Sequence, residues 1–143
     1  MLFSLFYAIS HPDKVEALLF IAGVGVQNNR EWINEYFENR EKCDELMPEM
    51  EYPFSKGVNN AVNISFRTYI QKPYLFRDIS RLKIPSLFLC AGKDIHPSWP
   101  VQQIKELINN SILITIPDAT HYIWLTHYKE MKSELRKFLS LDS

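Results

Sequence analysis

Two cysteines in 143 residues, Cys43 and Cys90, share no C-x-x-C spacing, which argues against a disulfide framework or a cysteine-based zinc module. Free thiols in a reducing compartment are the expectation, and with them a cytoplasmic location. Charge of one sign is not in excess either. Sixteen Lys and Arg stand against 17 Asp and Glu, a formal net charge of -1, unlike a basic nucleic-acid clamp, a polybasic membrane anchor or a disordered tail. The expected partners are small molecules that need not be charged, with no nucleic acid and no membrane. No apolar run reaches membrane length: the opening MLFSLFYAI is about half of the roughly 20 residues a span needs. It has no basic region before it and is followed by SHPDK rather than a small-residue cleavage site, so it reads as a buried helix rather than an export signal. Repeats and low-complexity tracts are also absent. What is present is a 46% hydrophobic chain, enough for one domain with a sizeable core.

Residues 1–10 carry apolar side chains on nearly every side, the pattern of a helix wedged beneath other structure. No Ser, Thr, Asp or Asn precedes it, and this suggests further chain upstream. His11-Pro12-Asp13 stops it, because a residue before proline is pushed out of the helical region. Three apolar strands follow, at 17–22, 86–91 and 112–116. Their unbroken rather than alternating apolar character predicts cover on both faces, as in a parallel sheet between helices. A helix with Val101, Ile104, Leu107 and Ile108 on one side joins the second to the third, with Ser98 as its expected cap and Pro100 in its first turn. Tyr128, Met131, Leu135, Phe138 and Leu139 make the inner stripe of a last helix, expected to be capped by Thr126. The fold class is therefore α/β, three parallel strands with flanking helices. Residues 26–83 break the rhythm with helices expected at 30–47 and 59–70, a helical lid insertion over the carboxyl ends of the strands.

Functional groups in open parallel sheets gather where loops leave those carboxyl ends. Asp94 follows the second strand after the Gly92 turn, and His121 follows the third after Pro117-Asp118. A carboxylate that takes the proton of one imidazole nitrogen fixes the tautomer and leaves the other nitrogen as a base. Such a pair activates a serine or cysteine. The plainer reading of Asp94 is a turn residue bonded to its own loop, and that of His121 a loop histidine packed beside Tyr122 and Trp124.

On these residues the sequence resembles the carboxyl-terminal part of the α/β-hydrolase family, in particular its lid-bearing branch of proline iminopeptidase-like and small ester or amide hydrolases. The resemblance runs through Tyr7-Ala8-Ile9-Ser10-His11-Pro12-Asp13-Lys14-Val15 into Leu18–Ile21, then from Ile84-Pro85 to Asp94, and from Asp118 to His121. It implies a partial α/β-hydrolase fold in which 1–143 form an incomplete domain and 26–83 its lid. It further implies that Asp94 is the triad acid and His121 the catalytic base, acting without a cofactor on an ester, amide or short-peptide substrate. Family members often have glycine before this histidine, where Thr120 stands here.

The family's nucleophile elbow, G-x-S-x-G, occurs nowhere in the sequence and is expected just upstream of Met1, at the turn into the first helix. Ser4, inside a regular helical stretch without flanking glycines, and Ser10, at the helix end, read as packing or hydrogen-bonding residues. The expectation is thus a hydrolase portion that is inactive unless an upstream segment supplies the nucleophile. An open edge at 18–21 would pair with that segment or drive self-association. The alternative is a non-catalytic assembly or binding protein derived from a hydrolase.

Other groupings read less sharply. Asp94, His96, Asp118, His121 and His127 are metal-ligand types, but without a recognised spacing they read as turn and helix-end residues, so no metal is expected. His11 reads as a helix-to-loop residue. Gly23 and Gly25 lack the third glycine and following helix of a nucleotide-binding turn. Trp32, Tyr36, Phe37, Phe66 and Tyr69 read first as lid packing and second as the lining of an apolar pocket. Arg30, Glu31, Glu35, Glu38 and Glu41 read as a solvated face.

Overall fold

The computed structural model describes residues 2–27 and 29–140. Met1, where the expected first helix begins, the side chain of Leu2, and Asn28 in the expected lid lie outside the described residues. Helix α1 (Leu2–Ser10) ends before a 3-10 turn, Pro12–Lys14, and strand β1 (Leu18–Ile21) follows. Helices α2 (Arg30–Lys42), α3 (Lys56–Ile70) and α4 (Leu75–Ser80) lie between β1 and β2 (Ser86–Ala91). Helix α5 (Trp99–Leu107) leads to β3 (Ser111–Ile116), and α6 (Ile123–Thr126) and α7 (Tyr128–Phe138) close the described chain.

The three described strands form one parallel sheet in the order β1-β2-β3. Leu18 pairs with Ser86 and Ser86 with Ser111, while Ala91 pairs with Ile116. Crossovers of a helix-bearing kind are what parallel neighbours require. Every residue of β2 is buried. One face of the sheet meets α1, α4 and α5 in a core that includes Leu5, Phe20, Phe88, Ile79 and Ile104. The opposite face packs Leu89, Ala91 and Ile116 against Ile123 and Met131 of α6 and α7.

That second cover is concentrated at the carboxyl ends of the strands. Leu19 and Ile112, in register with Leu87 at the other end, are 38% and 51% exposed. Two-sided burial therefore holds for β2 and fails at the start of the outer strands, where α6 and α7 do not reach.

Local signals explain most element ends. The Asn29 side chain accepts the Trp32 N–H at 3.0 Å and opens α2, and Ser55 accepts the Val58 N–H at 3.4 Å to open α3, three residues before the expected start. Helix α2 stops at Lys42 rather than Met47. Cys43 is extended, and two residues later the Glu45 carboxylate is drawn to the His121 N–H at 3.0 Å, a tertiary bond that a continued helix would not permit. The expected caps Ser98 and Thr126 make no capping bond. Ser98 already has helical backbone angles, and Thr126 belongs to α6, leaving His127 to begin α7. On α7, Met131 is buried and Tyr128 is 54% exposed, and Leu139, just past its end, is 41% exposed.

Neither α2 nor α3 buries a residue fully. This lid-like insertion is tied down by polar bonds: the Trp99 indole N–H donates to Glu35 at 3.0 Å, and the Asn39 amide donates to the Ile95 carbonyl at 3.4 Å. Glu35 is thus a partly buried partner, while Arg30, Glu31, Glu38 and Glu41 are exposed as expected. None of the described helices is long and apolar enough to cross a membrane.

Candidate active site

Two loops at the carboxyl ends of β2 and β3 meet through their backbones. The Gly92 N–H donates to the Ile116 carbonyl at 2.8 Å and the Lys93 N–H to the Ala119 carbonyl at 2.9 Å. The approach is close enough that a β-carbon at Gly92 would lie 2.2 Å from the Pro117 carbonyl oxygen, so only glycine fits this crossing. Asp94 stands two residues beyond it and His121 four residues beyond Pro117.

The junction brings acid and imidazole into contact. Nδ1 of His121 lies 2.9 Å from Oδ2 and 3.1 Å from Oδ1 of Asp94. The Asp94 side chain is 8% exposed and that of His121 20%. Burial by itself pushes the Asp94 carboxyl up, but hydrogen bonds from His121 and His96, and the charge of His121, hold it at about 2. An ionised carboxylate only accepts, so the proton between them sits on Nδ1 and the Nε2 lone pair is left free. Nε2 has no hydrogen-bond partner among the described residues, and the ring borders a cavity of about 670 Å³ shared with Tyr36, Cys43, Glu45 and Tyr122. For His121, burial lowers the pKa, but the hydrogen bond and charge of Asp94, helped by Glu45, outweigh it and raise the value.

A third side chain joins this pair. His96 gives its backbone N–H to Asp94 Oδ1 at 2.8 Å and its ring Nδ1 approaches the same oxygen at 2.9 Å. Asp94 is therefore both the turn residue of its own loop and the partner of His121. The His96 ring lies 4.3 Å from the His121 ring, centroid to centroid, and 5.2 Å from Tyr36. Sequence reasoning named His96 as a metal-ligand type but read His96-Pro97 as a turn, and read Glu45 as part of a long helix, and so placed neither beside the Asp94–His121 pair. The i+2 spacing from Asp94 was the signal available for His96, whereas nothing local marks Glu45.

The remaining candidates go elsewhere. Asp118 pairs with Lys93 at 2.7 Å on the surface, and Nδ1 of His127 meets the Thr126 hydroxyl at 2.8 Å. His11 stacks on Tyr7 at 4.6 Å. Ser4 and Ser10 are exposed on α1, and the hydrogen bonds described above for Asp94, His96 and His121 involve no serine. Cys90 is buried, and burial together with the Asp94 charge pushes its thiol to about 11, the wrong direction for a nucleophile. Thr120 keeps an ordinary backbone, since Ala22 and Ser140 are the non-glycine residues of positive φ among those described.

The lid aromatics divide between the two readings. Trp32, Tyr36, Phe37 and Phe66 line, with His96, a cavity of about 510 Å³, and Trp32 stacks on Tyr36 at 5.4 Å. The Trp32 indole N–H is buried with no partner among the described residues. Tyr69 instead stacks on Phe6 at 3.3 Å and ties the lid to α1.

No protein-family model and no curated protein matches the chain. Solved structures do. An α/β hydrolase enzyme, MGS-MChE2 from a lagoon-sediment metagenome, superposes with a TM-score of 0.64 at 16% identity, over 96% of this chain and 56% of that one. This is the α/β-hydrolase fold, in part. Rv0554 from Mycobacterium tuberculosis gives 0.62 at 15% identity, over 96% of this chain and 61% of its own. The meta-cleavage product hydrolase CumD from Pseudomonas fluorescens IP01 gives 0.61 at 11%, over 98% and 61%. The chain thus spans about three fifths of the α/β-hydrolase structures it resembles. Within that fold Asp94 and His121 stand after consecutive parallel strands, β2 and β3.

The carboxylate at the centre of the cluster has a consequence for acid stability. A group whose folded pKa is depressed contributes stability that is fully present above its unfolded pKa of about 3.9 and is lost as pH falls through the folded value. With Asp94 held at about 2, about 2 kcal/mol should disappear progressively between roughly pH 4 and pH 2. His121, whose folded pKa is raised, works the other way, and its share is full below its ordinary pKa of about 6.5 and fades as pH rises through the folded value. Urea midpoints measured across this range should show an acid limb that Asp94→Asn flattens. An unchanged limb in that variant would remove Asp94 from the account.

Proposed function

We propose that this chain supplies the acid and the base of a serine acyl hydrolase, with the nucleophile elbow contributed by residues outside these 143. The observation that supports this most directly is the contact of the Asp94 carboxylate with His121 Nδ1 at 2.9 and 3.1 Å, which leaves Nε2 as the available base. In the completed site His121 takes the serine proton during attack on the acyl carbon and returns it to the leaving group. Asp94 orients the ring and stabilises the imidazolium. Backbone amides from the missing region hold the tetrahedral oxyanion. Substrates are esters, amides or the amino-terminal residues of short peptides, the last in keeping with the resemblance to proline iminopeptidase-like enzymes. The aromatic cavity beside His96 suits an apolar acyl or side-chain group.

The test is complementation. A segment carrying G-x-S-x-G and the strands before it, taken from the DNA immediately upstream of the Met1 codon, is expressed separately, mixed with this chain and assayed with simple acyl esters. Turnover should appear in the mixture alone and vanish when the elbow serine is replaced by alanine. Robust serine-dependent turnover by the isolated 143-residue chain would refute the proposal, as would a well-folded mixture with no turnover.

A further inference from the structure

We infer that Asp94, His96 and His121 also form a binding site for a divalent transition-metal ion of the zinc type. One carboxylate and two imidazoles converge from the loops after β2 and β3, with one ligand-type atom from each within 4.8 Å of the others. Each histidine already approaches one of the two carboxylate oxygens. Nδ1 of His96 lies 2.9 Å from Asp94 Oδ1, and Nδ1 of His121 2.9 Å from Oδ2. Zinc–nitrogen and zinc–oxygen bonds of about 2.0–2.1 Å in a tetrahedral shell place neighbouring ligand atoms about 3.3 Å apart. Bringing three atoms that now lie within 4.8 Å of one another to that spacing takes up to about 1.5 Å of side-chain motion. Imidazole with a single carboxylate selects zinc, cobalt or nickel over magnesium, which prefers oxygen and its own water.

Three further features fit an ion. The two histidine side chains are each 20% exposed, and both border the cavity of about 670 Å³, which gives the ion an access route. The His96 N–H fixes Asp94 Oδ1 at 2.8 Å, and Glu45 fixes the backbone of His121 at 3.0 Å, the kind of outer support that orients ligands. Coordination through Nδ1 needs each neutral ring to carry its proton on Nε2, so the protons now directed at Asp94 change nitrogen and none is lost from the rings. The inference rests on this geometry alone and does not need the acyl-transfer reading. On that reading, however, an ion here occupies the acid and turns the base around, and zinc is an inhibitor.

Zinc chloride titrated into the 143-residue chain, followed by calorimetry, should show one saturable site, and cobalt chloride should give a visible absorption band from the same site. His96→Gln and His121→Gln, checked for folding by circular dichroism, should each weaken binding by at least the roughly 10–100-fold seen when even an outer-shell partner is removed. His127→Gln should bind as the unaltered chain does. A readout without substitutions keeps the test independent of folding: zinc should protect His96 and His121, but not His11, from diethyl pyrocarbonate in peptide mass spectra. Absence of saturable binding, loss of binding in His127→Gln alone, or no protection of His96 and His121 would overturn the inference. None of these outcomes depends on turnover.

Discussion

Replacing His121 by alanine in the completed hydrolase should abolish acylation of an ester substrate, and Asp94→Asn should lower kcat by roughly 10⁴, the loss associated with exchanging a triad acid for its amide. The reasoning is electrostatic and tautomeric together. An amide at 94 can offer an N–H to Nδ1, which would move the ring proton to Nε2 and leave no base facing the serine. It also removes the charge that stabilises the imidazolium during attack. A substitution on the exposed face of α2, such as Glu38→Gln, should leave kcat/KM unchanged. Either dyad variant retaining full kcat/KM while properly folded would end its assignment to the triad.

The second large effect is on stability. Phe88 is fully buried in the middle strand and stacks on its register partner Phe20 with ring centroids 4.6 Å apart. Truncation to alanine removes an aromatic side chain that touches the α1, α4 and α5 layer and leaves a cavity between rigid elements. A cost of about 3–5 kcal/mol is expected, a large share of the 5–15 kcal/mol that stabilises a typical domain. Leu19→Ala, one residue away on the half-open face at 38% exposure, should cost much less. Urea denaturation compares them directly, and equal losses would mean that the core is not centred on the Phe20–Phe88 pair.

The parts of this fold that could be read in advance are those whose cause is local. The middle strand was legible from end to end because Ile84-Pro85 opens it, Gly92 closes it and every residue between is buried. The meeting of Asp94 and His121 was expected from their order and from their place after consecutive strands, and the two side chains are in contact. What escaped was set by distant partners. The end of α2 depends on a bond between Glu45 and a backbone N–H 76 positions later. His96 looked like a turn residue because Pro97 follows it, and only the folded loop shows its ring on the same carboxylate as His121. The lid aromatics had the spacing of packing residues, yet four of them face a cavity, since periodicity identifies a shared face without saying what lies opposite.

The Gly92–Pro117 crossing constrains how this site can vary. The loops that carry Asp94 and His121 are joined by main-chain bonds, and Glu45 of the insertion holds the backbone N–H of His121. Trp32, Phe37 and Phe66 of the cavity wall make none of these bonds. Exchanging Trp32, Phe37 or Phe66 should redirect what the cavity accepts without moving Asp94 from His121, so on the proposed acyl-transfer reading variation belongs on α2 and α3, and Gly92 should be left untouched.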